Sequence, residues 1–272
     1  MTPRPADPLT ATLRRLRQGQ RLSQLELSLR LGVSQRHVSF VETGRARPSR
    51  ALLITWLQAL EAPLTLRNQA LLQAGYAPVY RTTDLEDPAL ASVNMALEHL
   101  LAAHDPLPAL VIDAQWNLLR WNRGGQWLAT TLLPWATGLT DPSGVNLLDL
   151  LIHPHGLAQS ILNLHEVGPA FLTLLRHEAG VHPELAPRVE AFAAFVKSRI
   201  GTYPVHTHGS PATAPVLTTR YATSWGELTF FSMFTTFGTP QDITLTSLRV
   251  EHLFPADTAT EQCLREQVPV SS

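Results

Sequence analysis

Across the first 80 residues the apolar positions recur at helical spacing, and no stretch alternates as a strand would. Leu9, Leu13 and Leu16 mark a first helix. The next begins at Ser23-Gln-Leu-Glu26, a capping box in which the Ser23 hydroxyl accepts from the Glu26 amide while the Glu26 carboxylate reaches back. Leu22 before the cap and Leu27 inside the helix form the matching staple. Gly32 ends the helix, because only a residue without Cβ turns left-handed freely. Val33 and Ser34 repeat the device, with Ser34 as N-cap and Val33 stapled to Val38. Pro48 and Ser49 start another helix with a core stripe of Leu52, Leu53, Trp56, Leu57 and Leu60, and a fifth runs from Leu66 to Ala74. Two short helices joined by a glycine-containing turn form a helix-turn-helix arrangement.

Beyond the linker-like Gly75–Thr83 segment the pattern changes. Asp87-Pro88 caps a helix whose stripe of Leu90, Val93, Leu97, Leu100 and Leu101 continues to His104, and its place between the two parts makes it a candidate connector or dimer seam. Ala109–Asp113 and Trp116–Trp121 read as a hairpin, after which Asn122 caps a helix carrying Trp127 and Leu128. Later strands are expected at Val216–Tyr221, Leu228–Phe234 and Ile243–Val250, with turns at Gly226 and Gly238-Thr-Pro240. The expected fold is mixed α+β: an all-α bundle over residues 1–80, then residues 81–272 with an antiparallel sheet of about five strands and flanking helices. Leu228, Phe230 and Phe234 share one strand face, with Phe231 and Met233 on the other. Two apolar faces fit a sheet covered by helices on one side and either a cavity or ordinary core on the other.

Charge divides the chain in the same place. Residues 1–82 hold 12 Arg and no Lys against four acidic residues, a balance of +8, whereas the remainder holds nine basic and 18 acidic residues, a balance of −9. A cationic module for nucleic acid joined to an acidic module accounts for that asymmetry; a solvated basic face would account for it too. Hydrophobic residues make up 44% of the 272, enough to bury a core, yet no apolar run approaches the roughly 18 residues of a membrane span. With no secretory-type apolar stretch near the start, the expected location is the cytoplasm. The single cysteine, Cys263, excludes an internal disulfide and a thiolate zinc cage.

On the second helix of the helix-turn-helix, Val38 and Val41 face inward, which leaves Gln35, Arg36, Ser39 and Phe40 outward near its start. Gln suits adenine, Arg suits guanine, and an exposed Phe can meet a thymine methyl group. Gln24 opens the preceding helix, where amides and side chain can hold a phosphate, and Arg45 and Arg47 follow Gly44 as phosphate clamps.

The stretch Leu22 to Ser49 resembles the helix-turn-helix of the Xre/phage-repressor family, with Gln24, Gly32, the outward residues of the second helix and Glu42-Thr-Gly-Arg45 in register. That resemblance implies homodimers on a two-fold double-stranded DNA operator. The hairpin, helices and later strands resemble a PAS-like sensor. Within them, Leu107–Arg123, Asn146-Leu-Leu-Asp-Leu-Leu-Ile-His-Pro154, Gly226-Glu-Leu-Thr and Thr239-Pro-Gln-Asp resemble the ligand-binding domain of MmyB-like transcription regulators, though the stretch from Gly180 to Thr213 departs from that pattern. The resemblance implies a regulator with a small apolar effector, a fatty acid or similar amphiphile, and no obligatory cofactor.

An acyl chain needs an apolar slot and a polar anchor at its mouth. Trp116, Trp121, Trp127, Phe171 and Leu174, with Phe192, Phe195, Phe230 and Phe234, are the candidate walls. Arg176, Asn122 and His153 are the candidate anchors for a carboxylate. Ten of the 11 histidines lie in the acidic part, and His153-x-His155 and His206-x-His208 make a metal-responsive regulator an alternative. A second part that only dimerises or binds a protein partner is another. The chain carries no nucleophile elbow, Walker loop, HExxH or GxGxxG motif, so no enzyme is expected.

Overall fold

Helix caps written in the sequence set the first elements of the structure, a computed structural model that describes residues 8–136, 141–201 and 216–269. After α1 (Pro8–Gly19), the Ser23 hydroxyl accepts from the Glu26 amide at 3.1 Å and the Glu26 carboxylate from the Ser23 amide at 2.7 Å, which starts α2 (Gln24–Leu31). Gly32 closes α2 at φ 65°, a conformation that favours a residue without Cβ. Ser34 then caps α3 (Gln35–Glu42) and Ser49 caps α4 (Arg50–Ala59), followed by α5 (Leu64–Gln73). Leu13, Leu27, Val38, Leu53, Trp56, Leu57 and Leu71 form their common core. Asn68 ties the following segment down, donating to the Tyr80 carbonyl and accepting from the Val79 and Tyr80 amides.

By its packing the chain forms two units, the first comprising Met1–Asp84 with Thr239–Thr246 and the second Leu85–Gly238 with Ser247–Ser272. The second opens with a 3-10 turn capped by Asp87 and continues as α6 (Ala91–His104), β1 (Ala109–Ile112), β2 (Leu118–Trp121) and α7 (Arg123–Leu132). Next come α8 (Leu147–Ile152), α9 (Leu164–Val181) and α10 (Ala186–Ile200), then β3 (Thr219–Thr223) and β4 (Gly226–Thr236). A short α11 (Ile243–Ser247), β5 (Arg249–Pro255) and α12 (Thr258–Gln267) complete the chain. The five strands form one antiparallel sheet in the order β2-β1-β5-β4-β3, so the fold is mixed α+β with a helical N-terminal part.

The strand expected over Ile243–Val250 is corrected. Asp242 accepts the Thr244 amide at 2.8 Å and turns the chain into α11, so β5 starts only at Arg249. The alternation Ile243-Thr-Leu-Thr-Ser-Leu misled because Thr and Ile favour strands by intrinsic preference, whereas a side-chain bond to the backbone decides otherwise here. The stripe on α6 is also not a free seam: Leu97 and Leu101 are buried within the second unit, where α6 packs on β1.

Pleating sorts the sheet into two faces. Phe231 and Phe254 stack on the outer face, where His104 of α6 meets the rings of His252 and Phe254 edge-on. The inner face carries Thr219 and Tyr221 of β3, Phe230, Ser232 and Phe234 of β4, and Glu251 and Leu253 of β5, and it meets α7 to α10.

Candidate functional site

Glu42 is the buried centre of the helix-turn-helix. Its carboxylate receives both Nε and Nη2 of Arg17 at 2.7 and 2.9 Å, and Nε2 of Gln24 at 2.9 Å. Burial opposes its charge, but the hydrogen bonds from Arg17 and Gln24 outweigh burial and hold the carboxyl below the usual range. The three residues thus bind the end of α3 to α1 and to the start of α2. Gln24 therefore sits at the expected helix start with its side-chain amide already held by Glu42. The Glu42-Thr-Gly-Arg45 pattern was legible in the sequence but the buried ion pair was not, because Arg17 lies 25 positions away.

On α3, Val38 and Val41 are buried while Gln35 and Arg36 are exposed and Ser39 and Phe40 half-buried. The Arg36 guanidinium lies 5.0 Å from the Phe40 ring centre and that of Arg45 lies 6.0 Å from it. Phe40 thereby orients two cations, each gaining a modest attraction from the ring face. Arg45 and Arg47 are exposed on the segment after Gly44. Gln35, Arg36, Ser39, Phe40 and Arg45 therefore share one surface whose chemistry fits base edges and phosphates.

Inside the second unit lies a cavity of about 580 Å³, within the range of small-molecule sites. Leu110, Trp121, Phe230 and Phe234 from the sheet, Leu128 and Leu132 from α7, Leu148 and Leu151 from α8, Phe171 and Leu174 from α9 and Phe192 from α10 line it. At its edge the Trp116 indole donates from Nε1 to Glu178 at 2.8 Å, and Arg249 grips the same carboxylate through both terminal nitrogens. The Arg249 guanidinium lies 4.2 Å from the Trp116 ring centre and 5.2 Å from that of Phe234, so its terminal nitrogens are held by Glu178 and its face by these two rings, while its Nε is buried without a partner.

Seven of the expected ligand residues line the cavity: Trp116, Trp121, Phe171, Leu174, Phe192, Phe230 and Phe234. The other five lie elsewhere, each for a local reason. Asn122 is a buried knot: its Oδ1 accepts from the Ala109 and Gly125 amides and its Nδ2 donates to the Leu101 and Leu107 carbonyls, which leaves nothing for a ligand. Gly124 beside it allows the same close approach, since a Cβ there would stand 2.3 Å from the Pro106 carbonyl oxygen. Trp127 is one position from Leu128, turned about 100° around the helix, and packs with the cluster of Leu264 and Val268. Phe195 stacks on Phe192 and takes the Arg199 guanidinium on its ring at 5.4 Å. Arg176 is exposed on α9, two residues past Leu174. His153 is exposed just after α8, its Nδ1 accepting the His155 amide.

The polar side chains of the cavity wall are Thr130, Thr219, Tyr221, Ser232 and Glu251, and among the described residues no Lys, Arg or His lines it. The Ser232 hydroxyl donates to Glu251 Oε1 at 2.7 Å. Burial pushes the Glu251 carboxyl above its ordinary value, against the opposing pull of that hydrogen bond and of Arg249, and burial likewise pushes the Tyr221 phenol up. Sequence reasoning missed Glu251 because the expected strand ended at Val250. The alternation Arg249, Glu251, Leu253 was the available signal.

Comparison with known families matches this division. The family described as MmyB-like transcription regulator ligand binding domain matches residues 93–266, more than half of the chain. The chain belongs to this family. A helix-turn-helix family matches residues 13–66 of the same MmyB-like chain. The uncharacterized HTH-type transcriptional regulator y4dL of Sinorhizobium fredii (strain NBRC 101917 / NGR234) is 36% identical over 66 residues, which are 24% of this chain and 34% of that relative. The matched stretch thus spans about a third of the relative's length.

The His153-x-His155 pair gains no third metal-ligating group among the described residues. The rings of His153 and His155 are 6.1 Å apart at their centres, and among the described residues no three His, Cys, Asp or Glu side chains are grouped to hold a metal ion. His206 and His208 lie outside the described residues. No helix among the described residues is long and apolar enough to cross a membrane.

Proposed function

We propose that the protein is a sequence-specific DNA-binding transcription regulator whose second unit senses a small amphiphilic molecule with a tail like that of a fatty acid. The observation that carries the reading is the apolar cavity of about 580 Å³ in a chain that also presents a helix-turn-helix. Arg36, Gln35, Ser39 and Phe40 meet base edges in the major groove, and Arg45 and Arg47 hold phosphates on either side. Gln24 contributes by fixing the approach of the two helices and by the position of its amide at the start of α2. The partner is a double-stranded operator, bound by a homodimer whose recognition helices are spaced about 34 Å apart, and the place of action is the cytoplasm. Ligand acts only if its affinity differs between DNA-competent and incompetent arrangements.

Native mass spectrometry of the purified full chain, followed by denaturing extraction, tests this directly. A co-purified amphiphile in a dimer supports the reading. An empty protein that gains no thermal stability from a panel of long-chain acids, alcohols and amines contradicts the sensing half and leaves the DNA-binding half standing. Selection from random duplexes tests that half, and failure to enrich any sequence contradicts it.

A further inference from the structure

Among the described residues the polar wall of the cavity carries an acid and no base, and this bears on the head group it can receive. Glu251 stands in the sheet interior with Leu110 opposite it on β1 and Phe234 opposite it on β4, and all three line the cavity. An ionised carboxylate offers about four acceptor positions on its two oxygens. Ser232 supplies a donor to Oε1, and among the described residues nothing donates to Oε2. The nearest cation along the strand, Arg249, is gripped by Glu178 and covered by the Trp116 and Phe234 rings. The wall around Oε2 therefore offers acceptor capacity in a space lined mostly by apolar side chains.

We infer that the cavity selects an amphiphile whose polar end donates hydrogen bonds, an amine or a hydroxyl, and that Glu251 is the specificity-determining residue that receives it. This rests on the cavity being the effector site. An ammonium or hydroxyl placed at Oε2 satisfies an open acceptor on the cavity wall, and an ammonium also neutralises the carboxylate charge there. A carboxylate in the same place adds a second anion with no cation facing it from the described wall. An ester head is neutral but has no proton to donate. Among molecules with the same tail, discrimination then comes from an unpaired polar group, which costs more than a lost methylene contact.

The test uses the full chain and four probes of equal tail length below their micelle concentrations: 1-dodecanol, dodecylammonium, methyl dodecanoate and dodecanoate. Binding is read by quenching of tryptophan fluorescence, since Trp116 and Trp121 line the cavity. The expected result is that dodecanol and dodecylammonium bind at least about tenfold more tightly than the ester and the carboxylate. In Glu251→Gln, which keeps the shape and removes the charge, dodecylammonium should weaken by about tenfold or more and dodecanoate should tighten. Equal binding of all four probes, or tightest binding of dodecanoate, overturns the head-group assignment while leaving the cavity as an effector site. An unchanged ranking in a folded Glu251→Gln protein overturns the role of Glu251. Binding of none of the four overturns both this inference and the sensing reading. The wild-type ranking decides the head group even if the variant fails to fold.

Discussion

The Asp242 carboxylate accepts hydrogen bonds from both the hydroxyl and the amide of Thr83, at 2.5 and 3.4 Å, joining two points 159 positions apart in the chain. The tie is reinforced on either side, by the Ile243 amide to the Arg81 carbonyl and the Thr244 hydroxyl to the Thr83 carbonyl. Asp242 belongs to the connection between β4 and β5, and that connection packs within the first unit. The two strands it joins carry Phe230, Ser232, Phe234 and Glu251 of the cavity wall. The segment that joins these two wall strands is thus fastened to the first unit, and it is the route by which filling the cavity is expected to alter operator affinity. Asp242→Ala should leave ligand affinity nearly unchanged and bring the ratio of operator affinities with and without 1-dodecanol close to one. A folded variant that retains the wild-type ratio would show that coupling takes another route.

Glu42 should dominate the stability of the helix-turn-helix. Its side chain is 2% exposed and that of Arg17 is 11% exposed, so removal of the carboxylate strands a buried guanidinium. Glu42→Ala should cost about 3–5 kcal/mol in chemical denaturation of the N-terminal transition. Because the folded-state pKa is depressed, the contribution is fully present above the unfolded carboxyl pKa and disappears as pH falls through the lower folded value. Acidification from neutral to about pH 3 should destabilise wild type more than Glu42→Gln. Parallel pH profiles would remove Glu42 as the cause.

Base reading and phosphate holding separate by substitution. Arg36→Ala should lose about 1–3 kcal/mol of discrimination between the operator and a single-base variant. Arg47→Ala should weaken operator and random duplex alike and lower the salt slope by about one. Fluorescence anisotropy titrations over a range of salt would measure both, and equal effects of the two changes on specific and random DNA would refute the division of roles.

Asn122 distinguishes a structural knot from a ligand anchor. Asn122→Ala should destabilise the second unit by about 1–3 kcal/mol for each backbone group left unpaired that water cannot reach. The relative affinities for dodecanol and dodecanoate should stay as in wild type. A changed preference at unchanged stability would return Asn122 to the anchoring role expected from sequence.

The elements most legible in the sequence were those specified by neighbouring residues. The Ser23 capping box, Gly32, the Ser34 and Ser49 caps and the Asn122 cap each act within four residues, and the structure places all of them. Large aromatic side chains such as Phe192 and Phe230 were also readable as wall or core, because volume forces them inward. Groups whose role depends on remote partners were not readable. Arg176 and His153 have the right chemistry for an anchor but point to solvent, while Glu251 acquires its meaning only through pairing with Leu110 and Phe234 on two other strands. The Asp242 tie to Thr83 is of the same kind, and the alternation beside it concealed a helix.

The most direct test of the central claim is the affinity of the full chain for a selected operator duplex, measured by anisotropy in the absence and presence of saturating 1-dodecanol. Sequence-specific binding should change at least about fivefold when the cavity is filled, the lower end of ordinary allosteric coupling. The change should be lost in Asp242→Ala. Operator affinity identical with and without dodecanol, in a protein shown by tryptophan quenching to hold it, would contradict the account.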